Sequence, residues 1–210
     1  MNPTNINDIF CINLDRRTDR WKFMLKQFKR ENLNVKRWSA VDGNKLSHDI
    51  FNQKLSLRSK NSITKSKEDN ESIYSIGAVG CYLSHVSLWQ YIVDNNIQQA
   101  IIFEDDVEIE NNYLAKLQLY YTQNKKYFDN FDLFFLGYIT CSKNIIINDD
   151  IIKINGSMMG MQNYMITLNG AKKLIQQAFP IEAQVDAYVA YMSSQLNCYC
   201  LRKMLSSSYG

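Results

Sequence analysis

An apolar run that ends in three consecutive carboxylates is the feature that most constrains the fold of this chain. Residues 100–103 have the character of a buried strand, and Glu104, Asp105 and Asp106 follow immediately. Adjacent carboxylates in such a place repel one another, and a cation relieves the repulsion. Oxygen ligands on a short turn suit a hard divalent ion such as Mg²⁺ or Mn²⁺, whereas a solvated acidic loop is the simpler alternative.

Strand-like and helix-like segments alternate along the chain. Strands are predicted at Ile9–Leu14, Val35–Val41, Asp132–Leu136 and Met161–Leu168, and a hairpin at 145–154. Helices are predicted after Thr18 or Asp19, after the cap Ser75, at Asn112–Lys125, after the cap Asn169 and at Asp186–Gln195. This alternation predicts an α/β fold with a mainly parallel central sheet covered by helices on both faces. The ligand site is then expected at the carboxyl ends of the strands, where the triplet lies.

Composition restricts the function classes. A chain of 210 residues fits one domain, and a net charge of +3 gives no support for a nucleic-acid partner. Five scattered cysteines predict reduced thiols rather than a disulfide framework. Neither a signal segment nor a membrane-spanning apolar run is recognisable, so a cytoplasmic location is expected. Whether the chain is part of a larger protein is left open by the sequence.

A basic stretch precedes the first long helix. Five Lys and Arg residues occur between Lys54 and Lys67 without an acid, and we predict a mobile insertion at about 54–74. A solvated loop is favoured over an anion-gripping lid. In the helix that follows, Gly77 and Gly80 either let a ligand approach the backbone or serve close packing. If a ligand does approach there, Ser84 and His85, one turn later, face the same pocket.

Five short segments form a series along the chain. They are 12–17 (INLDRR) with Asp19 and Arg20, 80–85 (GCYLSH) with Trp89, 103–106 (FEDD), 163–166 (NYMI) followed by 170–174 (GAKKL), and the stretch from Pro180 to Asp186. Together they resemble glycosyltransferase family 25, the group that includes lipopolysaccharide and procollagen galactosyltransferases. The basic stretch before Gly77 departs from the family pattern, and the chain stops near where members continue into a short tail.

The resemblance implies a GT-A type, Rossmann-like glycosyltransferase fold that binds a UDP-sugar and a divalent metal. The implied reaction transfers galactose or glucose, with inversion, to a glycan, lipid-linked or hydroxylysine-type protein acceptor. A metal would neutralise the charge that grows on the departing diphosphate. Asp106 and Glu104 match the two acids of a DxD motif, because alternate residues of an extended segment share a side. Asp105 points the other way unless the turn twists, and is assigned to the ribose.

The remaining site residues follow from the same resemblance. Inversion needs a general base, for which Asp186 is the first choice and Glu182 the reserve, although helix capping also explains Asp186. The nucleotide-binding part is expected to contain residues that follow the first strand and residues of the later glycine-containing helix: Asn13, Leu14, Arg16, Arg20, Gly80, Ser84 and His85.

Two other functions compete with the transferase. A catalytically degenerate module with the same fold would hold nucleotide sugar or glycan without turnover, but it has little reason to keep costly clustered acids. A metal phosphoesterase also uses acids at strand ends, and it would hydrolyse simple phosphate esters. The phosphoesterase ranks last. The choice between galactose and glucose depends on a few pocket hydrogen bonds that the sequence does not reveal.

Overall fold

An eight-stranded sheet with helices on both faces organises the chain. The computed structural model describes residues 6–65, 72–141 and 144–209. In chain order the strands are β1 (Ile9–Asn13), β2 (Lys36–Ser39), β3 (Gln99–Glu104), β4 (Val107–Ile109), β5 (Leu133–Gly137), β6 (Ile145–Ile146), β7 (Ile151–Lys153), β8 (Asn163–Thr167), β9 (Cys198–Leu201) and β10 (Ser206–Ser208). The helices are α1 (Thr18–Arg30), α2 (His48–Lys54), α3 (Leu57–Lys65), α4 (Ile76–Asp94), α5 (Tyr113–Gln123), α6 (Lys125–Phe128), α7 (Leu168–Gln176) and α8 (Val185–Met192).

The strand order of the large sheet is β2-β1-β3-β8-β5-β9-β7-β6. Strands β1, β2 and β3 are mutually parallel, as are β5 and β9, whereas β8 and β7 run antiparallel to both of their neighbours. Six strands therefore point in one direction and two in the other, which confirms the predicted mainly parallel sheet. The hairpin formed by β6 and β7 lies at one edge, and β10 pairs with β4 in a separate small sheet.

Side chains that alternate along the strands divide the core between the two faces. Phe10 and Ile102 pack on the face covered by α4, α7 and α8, whereas Cys11 and Phe103 pack on the face covered by α1, α5 and α6. All four are at most 2% exposed, as expected for strands buried on both faces. Because β1 and β3 are adjacent and parallel, their carboxyl ends meet at one edge of the sheet.

The basic insertion is more ordered than the sequence predicts. Helices α2 and α3 occupy residues 48–65, where an irregular loop was expected. Helix α3 is anchored because the buried Ser59 hydroxyl donates to the carbonyl of Ile181 at 2.8 Å. The loop prediction is therefore wrong up to Lys65, and residues 66–71 of the insertion lie outside the described residues.

The predicted helix start is confirmed for α4 and corrected for α1, α7 and α8. Helix α1 already includes Thr18, and Arg17 occupies its N-cap position, so neither Thr18 nor Asp19 caps it. Ser75 caps α4, since its hydroxyl oxygen accepts from the Ala78 N–H, as predicted. Helix α7 is capped by Thr167 instead of Asn169, whose amide donates to Asp132. Helix α8 begins at Val185, so Asp186 lies in its first turn and is not the capping residue.

Two further observations concern the helices and the cysteines. Over residues 6–65, 72–141 and 144–209, each helix is too short or too polar to cross a lipid bilayer. The five cysteines are free thiols in the structure. The cytoplasmic location stays a prediction.

Candidate functional site

The acidic triplet lies where β3 ends and the chain bends. Glu104 is the last residue of the strand, and Asp105 and Asp106 form the bend. Their side chains are 24%, 11% and 40% exposed. Burial, followed by the negative charge of Glu104, raises the pKa of Asp106, although Arg20 acts in the opposite direction. Burial and the charge of the neighbouring acid therefore both disfavour the ionised form of Asp106.

Arg20, in the first turns of α1, is the basic residue that contacts the triplet. Its Nη1 atom donates to Oδ1 of Asp105 and to Oδ2 of Asp106, both at 2.9 Å. Two neighbouring carboxylates thus share one guanidinium nitrogen, which strict alternation along a strand would not allow. The bend therefore supplies the twist of the turn that the sequence alone did not decide. Asp105 and Asp106 both contact Arg20, whereas Glu104 contacts His85.

Asn13, at the end of β1, ties the triplet to the neighbouring strand. Its side chain is 1% exposed, and Nδ2 donates to Oδ2 of Asp105 and to the carbonyl of Arg17. Its Oδ1 accepts from Nε of Arg37, a β2 residue for which no role was predicted. Arg37 also lies over the ring of Trp21, 5.4 Å from its centroid. Asp105 is consequently fixed by a buried hydrogen-bond network.

Glu104 faces helix α4 instead. Its Oε1 lies 3.2 Å from Nε2 of His85, which is completely buried. The hydroxyl of Tyr164 lies 2.9 Å from Nδ1 of the same ring and accepts from Nε1 of Trp89 at 2.9 Å. A chain of hydrogen bonds therefore runs from the core to the acidic motif. We assign the His85 proton to Nε2, because Tyr164 then donates to Nδ1 and every member has a partner.

Cys81 lies one helical turn before His85 and faces the same carboxylate. Its Sγ is 4.0 Å from Oε1 of Glu104. The residue is exposed to solvent, yet desolvation by neighbouring protein atoms, and then the charges of Glu104 and Asp186, raise the pKa of its thiol. The negative charge of Asp186 thus reaches the surface on which Glu104 lies.

Asp186 has both carboxylate oxygens engaged by backbone donors. Oδ2 accepts from the N–H of Gly160 at 2.9 Å, and Oδ1 accepts from the N–H of Ala187 at 2.8 Å. These bonds fix the orientation of the carboxylate, which is partly exposed. Glu182 is exposed on the segment before α8. Asp186, the first choice for the base, thus has a fixed carboxylate whose charge acts on Cys81, and its catalytic role stays a prediction.

Two adjacent clefts share the segment that follows β1. A cavity of about 210 Å³ is lined by residues that follow β1 and β2, which are Leu14, Asp15, Arg16, Ala40, Val41, Asp42, Lys45 and Leu46. A second cavity of about 430 Å³ is lined by Arg17, Asp19, Arg20, Phe23, Asp105, Asp106 and Tyr209. Leu14 and Arg16 therefore lie in the first cleft and Arg20 in the second. Asp15, Asp42 and Lys45 had no predicted role.

Gly80 and Ser84 hold the wall of the first cleft in place. The Ser84 hydroxyl accepts from the Val41 N–H at 2.8 Å and donates to the Gly80 carbonyl at 2.6 Å. A Cβ on Gly80 would lie 2.6 Å from the carbonyl oxygen of Val41, whereas one on Gly77 would meet nothing closer than 3.8 Å. Of the two roles considered for these glycines, close packing applies to Gly80. Ligand binding by Gly80, Ser84 and His85 stays a prediction.

An aromatic pair borders the second cleft and was missed from the sequence. The rings of Phe23 and Tyr209 lie 4.4 Å apart between centroids. The Tyr209 N–H donates to the carbonyl of Asp106 at 2.8 Å, next to the pairing of β10 with β4. No local sequence pattern indicates this pair, because residues far apart in the chain form it through sheet pairing.

Comparison with known proteins identifies relatives by sequence. The family model described as Glycosyltransferase family 25 (LPS biosynthesis protein) matches residues 6–189. A Glycosyltransferase 25 family member of Aedes aegypti is 27% identical over 192 residues, covering 89% of this chain and 31% of the relative. Procollagen galactosyltransferase 1 of Danio rerio is 28% identical over 193 residues, covering 89% of this chain and 31% of the relative.

A further relative is named as lacking activity. The protein called Probable inactive glycosyltransferase 25 family member 3 of Bos taurus is 27% identical over 195 residues, covering 90% of this chain and 32% of the relative. The chain thus spans about a third of the length of these curated relatives.

A solved structure shares the fold. UDP-glucose pyrophosphorylase complexed with UDP-glucose superposes with a TM-score of 0.52 at 6% sequence identity, covering 93% of this chain and 90% of the other. At this identity the likeness concerns the architecture alone.

Proposed function

Because this chain belongs to glycosyltransferase family 25, we propose that it is a hexosyltransferase that takes galactose or glucose from a UDP-sugar. The acceptor is a hydroxyl group of a glycan, a lipid-linked glycan or a hydroxylysine-type side chain. The observation that carries the proposal is the acidic triplet at the carboxyl end of β3, of which Asp105 and Asp106 line the second cleft. Carboxyl ends of strands in open α/β sheets are where nucleotide ligands bind.

Asp106 and Glu104 are the residues that would hold a divalent cation, Mn²⁺ or Mg²⁺. The donor set fits such an ion, because it consists of carboxylate oxygens. The raised pKa of Asp106 fits it as well, since burial, and then the negative charge of Glu104, disfavour the ionised carboxylate, and a cation would offset both. When bound, the cation neutralises charge on the departing nucleoside diphosphate. Arg20, which already contacts Asp106, supplies a fixed positive charge next to the same oxygens.

The first cleft suits the nucleoside part of the donor. Leu14 and Val41 offer apolar surface for a flat base, and Asp15 and Asp42 offer acceptors for ribose hydroxyls or a base N–H. Arg16 is held toward this cleft by its ion pair with Asp42 at 3.2 Å. The diphosphate would then extend past the segment that follows β1 toward Arg20 and the triplet.

Asp186 is the proposed general base. Its backbone hydrogen bonds fix the carboxylate, and each oxygen keeps lone-pair capacity for the hydroxyl of an acceptor. The proton of the acceptor hydroxyl would move to Asp186 while the hydroxyl oxygen attacks the anomeric carbon from the side opposite the diphosphate. This displacement inverts the configuration at that carbon.

A second candidate is a binding module that holds nucleotide sugar without turnover. It is favoured by Arg20, which occupies one oxygen of Asp105 and one of Asp106 and so substitutes in part for a metal. The name of the cattle relative records suspected loss of activity in a related protein. The two candidates differ in turnover, because a module would bind the donor and release no UDP in the presence of acceptors.

The test is release of UDP from UDP-galactose and UDP-glucose with Mn²⁺, using a panel of glycan and hydroxylysine acceptors. We expect Asp186→Asn to bind donor normally and to lower kcat by about 10²–10⁴-fold. Glu182→Gln, an exposed acid on the same segment, is the matched control and should retain turnover. Loss of turnover in the control alone would move the base to Glu182, and donor binding without turnover by the unmodified protein would favour the module.

A further inference from the structure

Cys81, His85 and Glu104 place three different metal-binding groups on one surface. Cys81 and His85 are four residues apart on α4 and therefore share a helix face, and Glu104 lies opposite them at the end of β3. The Sγ, Nε2 and carboxylate oxygen atoms all lie within 4.8 Å of one another. The Nε2 to Oε1 distance is 3.2 Å, and the Sγ to Oε1 distance is 4.0 Å.

These distances are close to the edges of a zinc tetrahedron. Zinc bonds of about 2.0–2.1 Å to nitrogen or oxygen and about 2.3 Å to sulfur give ligand separations of about 3.3–3.6 Å. The histidine and carboxylate match already, whereas the thiol, 4.0 Å from the carboxylate oxygen and within 4.8 Å of Nε2, has to move closer to both. Cys81 is exposed, so a rotation of its side chain closes that difference without disturbing the core.

His85 is also oriented as a metal ligand would be. The hydroxyl of Tyr164 holds Nδ1 at 2.9 Å, and Trp89 fixes that hydroxyl in turn. A hydrogen bond to the nitrogen that does not bind the metal is what fixes ring orientation in most histidine metal sites. All three of these residues are fully buried, whereas Cys81 is exposed at the surface. The ring therefore presents Nε2 toward the carboxylate of Glu104 from a rigid base.

We propose that Cys81, His85 and Glu104 form a site for a thiophilic divalent cation such as Zn²⁺, with a fourth position open to solvent. On binding, Cys81 releases its proton to solvent and the proton of His85 moves from Nε2 to Nδ1 by exchange with solvent. The Tyr164 hydroxyl then turns its own hydrogen away and accepts from Nδ1 as it does from Trp89. The ligand chemistry differs from that of the oxygen-only pair Glu104 and Asp106, because thiolate and imidazole favour zinc over magnesium or manganese.

Glu104 belongs both to the zinc site and to the metal site of the proposed function, and the inhibition described next rests on that function. Glu104 cannot serve a zinc ion beside Cys81 and a hard cation beside Asp106 at the same time. Zn²⁺ at this site therefore inhibits Mn²⁺-dependent transfer, and a sufficient excess of Mn²⁺ restores it. In Cys81→Ser, the same Zn²⁺ concentration inhibits less.

The test is a titration of the intact protein with Co²⁺, a spectroscopic substitute for Zn²⁺. We expect sulfur-to-cobalt charge transfer in the near ultraviolet and strong visible bands of a four-coordinate ion, both removed by added Zn²⁺. Cys81→Ser should abolish the charge-transfer band and weaken binding by more than the roughly 10–100-fold cost of losing a partner that only orients a ligand. Cys141→Ser, which removes a partly buried thiol in a different part of the fold, is the matched control and should leave the spectrum unchanged.

A charge-transfer band that persists in Cys81→Ser, or an octahedral spectrum in the unmodified protein, would overturn the proposal. Glu104→Gln provides an independent check, since it should weaken Co²⁺ binding while keeping the sulfur band at high cobalt concentration. The cobalt spectrum does not depend on turnover. Failure of the zinc site and failure of the transferase are therefore separate results.

Discussion

Nη1 of Arg20 lies 2.9 Å from Oδ2 of Asp106, so the carboxylate proposed to bind a metal has a cationic partner within the chain. Both side chains are more than a third exposed, at 36% and 40%, and solvent screens their attraction. The pair is therefore weak enough for a divalent cation to compete with the guanidinium.

Replacing Arg20 by Gln should tighten Mn²⁺ binding. The change removes a positive charge beside Asp105 and Asp106, and the expected gain is up to about fivefold, equivalent to about 1 kcal/mol for an exposed pair. Mn²⁺ affinity can be measured by calorimetry without nucleotide. Arg17→Gln, which removes a guanidinium paired with Asp19, is the control and should change the affinity less. Weaker Mn²⁺ binding in Arg20→Gln would mean that the arginine organises the site.

Asp106→Asn should stabilise the protein at neutral pH in the presence of a chelator. The pKa of Asp106 is raised in the folded state, so this carboxylate favours folding when protonated and disfavours it as pH rises through the folded pKa. The gain in stability of Asp106→Asn should disappear at pH values below the ordinary pKa of aspartate. Urea unfolding at several pH values measures the effect.

Asp19→Asn is the control, because the pKa of Asp19 is shifted in the opposite direction. Arg17 holds the pKa of Asp19 below its usual value, so removal of this carboxylate should not stabilise the protein at neutral pH. A destabilised Asp106→Asn variant at neutral pH would contradict the electrostatic account of the triplet.

The two glycines of α4 should respond oppositely to alanine. Gly80→Ala places a Cβ against backbone atoms of Val41 and Gly43, at 2.6 and 2.7 Å, and should cost about 1–3 kcal/mol of unfolding free energy. Gly77→Ala has open space and should gain about 0.4–1 kcal/mol. Denaturant unfolding of the two variants compares them directly. Equal effects would show that packing does not distinguish these positions.

Patterns within one element could be predicted from the sequence. The buried strands β1 and β3, the cap Ser75 and the position of Glu104 at a strand end follow from runs of apolar residues and their polar ends. The antiparallel insertion of β8 between β3 and β5 could not be predicted, because it depends on pairing between segments about 30 or more residues apart.

The partners of the candidate site could be predicted only in part. The turn-by-turn spacing of Cys81, His85 and Trp89 is visible in the sequence. The hydrogen bonds that His85 and Trp89 form with Tyr164, however, depend on the register of β8. Arg37 was missed because a basic residue in a short strand looks like a solvent-facing one. The bend at Asp105 likewise depends on bonds to Asn13 and Arg20, which lie about 85–92 residues earlier.

The central claim is that Asp106 helps to bind a metal that is needed for binding of a nucleotide sugar. The most direct measurement is isothermal titration of UDP-galactose, UDP-glucose and UDP into the protein, with and without Mn²⁺, repeated with Asp106→Ala. The account predicts binding that requires Mn²⁺ and is lost in the variant, with the tighter sugar indicating the donor. No binding of any nucleotide under either condition, or equal binding by the variant, would contradict it.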